Sequence, residues 1–298
     1  MKTKIFNKIA FFVIILSCFF VSCEKDVDYN HSIIITTNSP YVSFWIGGTN
    51  FSSIEVNWGN GNIEKYTSKT LGKALEFRNP DLLPKTIIIT GLVTSFNCDY
   101  NELTTLDVSN NNVLKRLDCV FAKLTSLDIS KNTSLEILKC GKNLLTNLDL
   151  SKNPKLTILG CESNQLTNLD VSKNIELNSL FCGNNLLTSL NVSKNAKLAG
   201  LACNDNQLTS LDVSKNAILE GLGCNDNQLT SLDVSKNTAL RNLSCIGNQL
   251  TTATLNAFFN TLHSNNFPSK FIEIRNNPGT ETCDRSIAES KGWMVLYY

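Results

Sequence analysis

Histidine is almost absent: the 298 residues hold two, His31 and His263, and no Cys-x-x-Cys pair. That removes the ligand sets of most metal sites and the commonest general base of nucleophilic catalysis. An excess of one charge is also lacking. Lys and Arg number 27 against 26 Asp and Glu, so nothing in the balance draws the chain to nucleic acid. The N-terminal apolar run, Ile9 to Val21, has 13 residues, short of the roughly 20 that span a bilayer. What is present is a 42% apolar content, enough for a core, and 11 cysteines whose spacing is too regular for a random disulfide set.

The N-terminus reads as an export signal. Lys2, Lys4 and Lys8 precede the apolar run, which closes on Phe20-Val21-Ser22-Cys23. A small residue before Cys resembles the lipobox of bacterial lipoproteins, with Phe20 in place of the usual Leu. The resemblance implies cleavage before Cys23 and acylation of its thiol, so residues 1–22 are the signal peptide and membrane contact is through a lipid anchor. Cys18 is a second, less suitable site, and an ordinary secretory peptide is the alternative. Glu24-Lys25-Asp26 resembles the export signal of surface lipoproteins in some Gram-negative bacteria, which favours display on the outer surface of the outer membrane.

Eight cysteines fall at 98, 119, 140, 161, 182, 203, 224 and 245, every gap being 21 residues. The copy from Leu219 shows the frame: Leu219, Leu222, Cys224, Asn227, then Leu229, Leu232, Val234, Asn237. Each half has two apolar residues two apart, the mark of a short strand with both pointing inward, followed by an Asn suited to a turn. No stretch in a repeat is spaced for an 11-residue helix. One coil is then strand, turn, strand or extended segment, turn. A single coil cannot bury its leucines, whereas stacked coils bury them jointly.

The frame L-x-x-L-x-C-x-x-N-x-L resembles the leucine-rich repeat family. It is similar to the 21-residue cysteine-ladder internalin subgroup and to Gram-negative leucine-rich repeat surface lipoproteins, over roughly residues 82–298. Ala122 departs from the expected Asn, and Thr254 from the expected Asp. The expected fold is a β-rich leucine-rich-repeat solenoid, a parallel β stack of about eight 21-residue coils with little helix. A small N-terminal β domain (23–81) precedes the repeats (82–252), and an α/β cap (253–298) follows them.

The columns of the stack have structural readings. Cysteines in one column point the same way, which is poor geometry for a disulfide or a tetrahedral metal site, so they are expected to be reduced core residues. The Asn column (101, 143, 164, 185, 206, 227, 248) is expected to bond turn backbone in its own and adjacent coils. Calcium is the alternative at Asn204-Asp205-Asn206 and Asn225-Asp226-Asn227, but no Glu completes a loop. The Asp column (107, 128, 149, 170, 212, 233, with Asn191 breaking it) reads as a solvated face, its repulsion offset by lysines three residues on.

Outside the repeats, Ser32–Thr37, Tyr41–Ile46 and Ile54–Trp58 are β-rich, and Asn60-Gly61 signals a hairpin into Ile63–Tyr66. The Trp58-Gly59-Asn60-Gly61 stretch resembles the hairpin of polycystic-kidney-disease-like domains. Ile87 lies 21 before Val108, so Thr86–Ile89 is expected to start the stack. Beyond the repeats, Leu255, Phe258, Phe259 and Leu262 have helical spacing. Ile272, Ile274 and Asn277 restore the frame. Ser286–Ser290 reads as a short helix and Trp293–Tyr298 as a closing strand over the last coil.

Polar groups that repeat in ladders do not converge as catalytic groups do, so no catalytic residue, cofactor or metal is expected and the chain is read as a non-enzyme. The resemblance implies a recognition scaffold with a protein ligand. Outward strand residues vary from coil to coil. Ile137, Ile158 and Phe181 form an apolar patch there, rimmed by Arg116, Lys139 and Glu162, and these six are the expected ligand site. A carbohydrate-capture lipoprotein binding through its N-terminal domain, with Trp45 and Trp58 as candidate platforms, and a structural envelope component are the alternatives.

Overall fold

A computed structural model of the chain describes residues 31–47, 53–67, 74–78 and 84–297. The signal segment and Cys23 lie outside the described residues. The first part holds β1 (Ser32–Thr37), β2 (Tyr41–Gly47), β3 (Ile54–Asn57), β4 (Ile63–Tyr66), β5 (Leu75–Arg78) and β6 (Lys85–Thr90). The repeats supply β7 (Ser95–Asn97), β8 (Leu103–Asp107), β9 (Arg116–Asp118), β10 (Ile137–Lys139), β11 (Ile158–Gly160), β12 (Ser179–Phe181), β13 (Gly200–Ala202), β14 (Gly221–Gly223) and β15 (Asn242–Ser244). Then come α1 (Thr252–Thr261), β16 (Phe271–Glu273), α2 (Ser286–Glu289) and β17 (Met294–Leu296).

Among the described residues the strands form two sheets. β7, β9–β15, β16 and β17 stack in parallel, and β2 joins β7 antiparallel at one end with β5 beyond it. The register steps by one repeat, so Ile137 sits beside Ile158 and Leu138 beside Leu159. In each rung the central Leu and the following Cys point inward and are buried. Leu138, Leu159, Leu180, Cys140, Cys161 and Cys182 are all fully enclosed. The architecture is the expected solenoid, extended by the two rungs of β16 and β17.

Two asparagine ladders hold the coils together. In the first, Asn164 donates from Nδ2 to the carbonyls of Cys140 (3.0 Å) and Cys161 (3.1 Å). Its Oδ1 accepts from the Leu145 amide at 3.0 Å. One side chain thus satisfies turn groups in two coils that no sheet partner reaches. In the second ladder Asn153 is fully buried and donates to Ile129 O and Asn132 O, both at 3.0 Å. The Oδ1 atoms of that second row, Asn111 to Asn237, accept no hydrogen bond among the described residues.

The left-handed turn residue is not the Asn but the residue before it. Lys142, Ser163, Asn184, Asp205 and Asp226 have φ between 49° and 56°. At Ala122 the missing amide is replaced by backbone, since the Leu103 amide donates to Ala122 O at 3.1 Å. Two residues there, Phe121 and Lys123, are left-handed.

The second half of a coil is extended but unpaired, except in the first. There β8 pairs antiparallel with β1, in a sheet of order β4-β3-β6-β1-β8. β6 lies in that same sheet, antiparallel to β1 and β3. Thr86–Ile89 therefore does not open the stack, which starts at Ser95. Ile87 on β6 and Val108, the residue after β8, flank β1 in this one sheet, so their 21-residue offset is not a step of the stack. β5 was not legible in the sequence as a strand.

At the far end Thr251 caps α1 through a reciprocal capping box with Thr254. This explains Thr254 in place of Asp. Lys291 Nζ donates to the carbonyls of Phe259 and Asn260 in α1 and of its C-cap Leu262, closing the helix C-terminus. Asn277 takes the ladder role, accepting from the Leu250 amide at 3.1 Å and donating to Cys245 O at 2.9 Å.

Candidate functional site

Strand pleating sends alternate residues to opposite faces. With Leu and Cys turned inward, the residues three and one before each Cys, and one after it, face solvent in three rows. One row runs Arg116, Ile137, Ile158, Ser179, Gly200. Beside it runs Trp45, Asn97, Asp118, Lys139, Gly160, Phe181, Ala202.

The structure places Ile137 and Ile158 side by side and partly exposed. Phe181 is one rung further and 45% exposed, between Gly160 and Ala202. Its orientation is outward, as the alternation requires. Lys139 is exposed next to this group. Glu162 borders the patch closely. Its carboxyl leans over Gly141 and Gly160, and a Cβ on Gly141 would fall 2.7 Å from Glu162 Cδ. Only glycine there lets that side chain lie flat. Arg116, beside Ile137 in the register, is held by Asp118: its Nε and Nη2 reach Asp118 Oδ2 at 2.9 and 2.7 Å.

Sequence reasoning missed what lies beyond Phe181. A shallow apolar trough of about 270 Å³ runs from Phe181 to Phe271 over a floor of Gly200, Ala202, Gly221 and Gly223. No charged side chain lines it. A Cβ on Gly221 would meet no atom within 4 Å, and neither Gly200 nor Gly221 has a left-handed φ. Packing and backbone conformation therefore do not demand glycine at 221. Glycine in a strand lowers its β propensity, and the outcome here is an open floor. Glycines at outward positions were the signal available in the sequence.

Trp58, offered above as a sugar platform, is 4% exposed and packs on Phe44 with ring centroids 5.5 Å apart. It belongs to the core. Trp45, the other candidate platform, is 50% exposed.

The titratable ladders have local causes. Burial pushes the thiols of Cys140, Cys203 and Cys245 up to about 12, so they are neutral hydrophobes, and all eight ladder cysteines and Cys283 are free. The Asp column owes little to the lysines. Asp128, Asp149, Asp170, Asp212 and Asp233 are held below the usual carboxylate range first by the Ser amide two residues on. Asn191 accepts the same bond, from the Ser193 amide at 3.0 Å, which is why it can break the column. Among the described residues no three His, Cys, Asp or Glu are grouped to hold a metal, and no helix is long and apolar enough to cross a membrane.

No protein-family model matches the chain, and no curated protein does. Solved structures do. The functional domain of InlJ from Listeria monocytogenes, which includes a cysteine ladder, is 31% identical with a TM-score of 0.51. The match covers 68% of this chain and 53% of that one. A leucine-rich repeat protein of Leptospira interrogans is 21% identical with a TM-score of 0.57, over 67% of this chain and 59% of that one. Internalin InlF of Listeria monocytogenes is 21% identical with a TM-score of 0.52, over 63% and 55%. The chain spans between half and two thirds of each of these proteins, and the latter two likenesses concern the fold alone.

Proposed function

We propose that this leucine-rich-repeat chain, with the cysteine ladder it shares with InlJ, is a recognition module that binds a protein on its exposed strand face. The observation that carries this reading is the half-exposed Phe181, held on a rigid parallel sheet between the Ile137–Ile158 pair and the uncharged trough. An apolar centre with Lys139 and Glu162 at its margin has the layout of a protein interface, where apolar anchors are surrounded by polar groups. The trough offers room for an apolar side chain of the partner beside the Phe181 ring. Ladders of identical polar groups provide no convergent catalytic set.

We further propose that the protein is displayed on the outer surface of a Gram-negative cell by a lipid on Cys23. The basic start, the 13-residue apolar run and the Ser22-Cys23 step support this. Lipid label should enter the parent chain and be lost in Cys23→Ala; label retained in that variant would overturn the anchor. Phe181→Ala should leave the melting temperature unchanged and weaken partner binding by at least about 2 kcal/mol. A large fall in stability with binding intact would place the function elsewhere.

A further inference from the structure

Five large aromatic side chains stand exposed among the described residues, and Phe181 accounts for one. The other four, Tyr41, Trp45, Tyr100 and Phe121, gather where the N-terminal sheet meets the first coils. Trp45 on β2 pairs with Asn97 on β7, and Asn97 with Asp118 on β9. At the strand spacing of about 4.8 Å, Trp45 stands about 10 Å from Asp118 and roughly 24 Å from Phe181.

Tyr100 and Phe121 occupy the left-handed turn position of their coils, both with φ 58°. Later coils put Lys, Ser, Asn, Asp or Gly there. Bulky residues are disfavoured in this region, and strain of this kind persists where something else maintains it. Here the two rings lie together, centroids 5.9 Å apart, and are 75% and 52% exposed. Neither ring serves the core.

Between these aromatics the face is polar at its centre. Asp118 points outward yet is only 3% exposed. Its Oδ2 takes Arg116, while its buried Oδ1 accepts no hydrogen bond among the described residues. Asn97 Nδ2 bridges Asp99 Oδ2 (2.9 Å) and Asp118 Oδ2 (3.4 Å). An orphaned, desolvated carboxylate oxygen is costly and calls for a donor.

We propose that this junction is a second binding site, for a neutral carbohydrate chain. A pyranose ring presents a C–H face that lies on an aromatic ring and hydroxyl donors at its edge, and this site offers both complements. Asp118 Oδ1 and the Asp99 carboxyl accept hydroxyl protons, Trp45 provides the nearer stacking surface, and the Tyr100–Phe121 pair a second one. A protein hot spot has the reverse layout, apolar at the centre and charged at the edge. A metal ion is disfavoured because the Arg116 guanidinium already occupies Asp118 Oδ2.

The three tryptophans make the test direct, since Trp58 and Trp293 are buried at 4% and 2% exposure and Trp45 is not. Tryptophan emission of the full chain is titrated with cellohexaose, chitohexaose, maltohexaose and mannohexaose. At least one should shift the emission with saturation at millimolar concentration or below. By titration calorimetry, which does not use the Trp45 fluorophore, Trp45→Ala should lose the binding, and Asp118→Asn should weaken it about tenfold or more, one such factor being about 1.4 kcal/mol. Because Asp118→Asn also disturbs Arg116, Tyr100→Gly is the decisive variant. Glycine suits the left-handed turn, so its melting temperature should hold or rise while sugar binding falls. Absence of any saturable response, or a Tyr100→Gly chain that melts lower yet binds unchanged, would overturn the proposal. Phe181→Ala should bind sugar normally, which separates this site from the protein face.

Discussion

At the scale of single residues the fold depends on small side chains that do two tasks. A ladder Cys, with two side-chain heavy atoms against the four of leucine, fills a small slot behind the strand and stays neutral. The sequence allowed this to be read, because eight cysteines in one column cannot bridge or ligate. Cys182→Ser should cost roughly 1–3 kcal/mol, measured by denaturant melts, since it buries a hydroxyl in an apolar row. Thiol reagents should react with the native ladder only on unfolding. The raised thiol pKa values set an alkaline limit. Native Cys140, Cys203 and Cys245 keep protons up to about 12 that the unfolded chain loses at about 9. Their contribution is therefore full below pH 9 and lost as pH rises towards 12. A melting temperature flat from pH 9 to 11 would contradict this.

At the scale of the element, the coil is closed by three turn devices of differing legibility. The Asn of the first half-repeat was readable as a backbone-bonding residue, and Asn164 and Asn277 act so. The left-handed residue before it was not readable, because backbone conformation rather than side-chain type is fixed there and the residue varies. The Asp of the second half looked like a charge ladder but works as an Asx turn. The depressed carboxyls stabilise the fold above the ordinary carboxylate range, and this is lost as pH falls through their native values. Asp149→Asn should match the parent's melting temperature at pH 7, as Asn191 indicates, and reduce its acid sensitivity. Asp149→Ala should melt lower. Equal behaviour of the two variants would show that the side-chain acceptor at this turn is dispensable.

At the scale of the whole molecule, a solenoid exposes two apolar ends, and both are covered by elements off the repeat. α1, α2 and β17 close one end and were legible from helical spacing and the restored Ile272 frame. The other is closed by β2 on β7 and β1 on β8, pairings between segments far apart in sequence that no local pattern encodes. The same limit hid the Trp45–Asp118 junction, and the trough, which is made of what glycine leaves out. The outward patch was legible because strand alternation alone decides it. On the proposed reading a protein partner docks on this strand face. A photo-reactive amino acid placed at Phe181, with a control at Lys173, exposed outside the strand rows, tests it on preparations of candidate partner proteins. One discrete cross-linked protein is expected from position 181, competed by the unlabelled parent chain but not by its Phe181→Ala variant, and none from position 173. Equal cross-linking from both positions, or competition by Phe181→Ala as strong as by the parent, would contradict it.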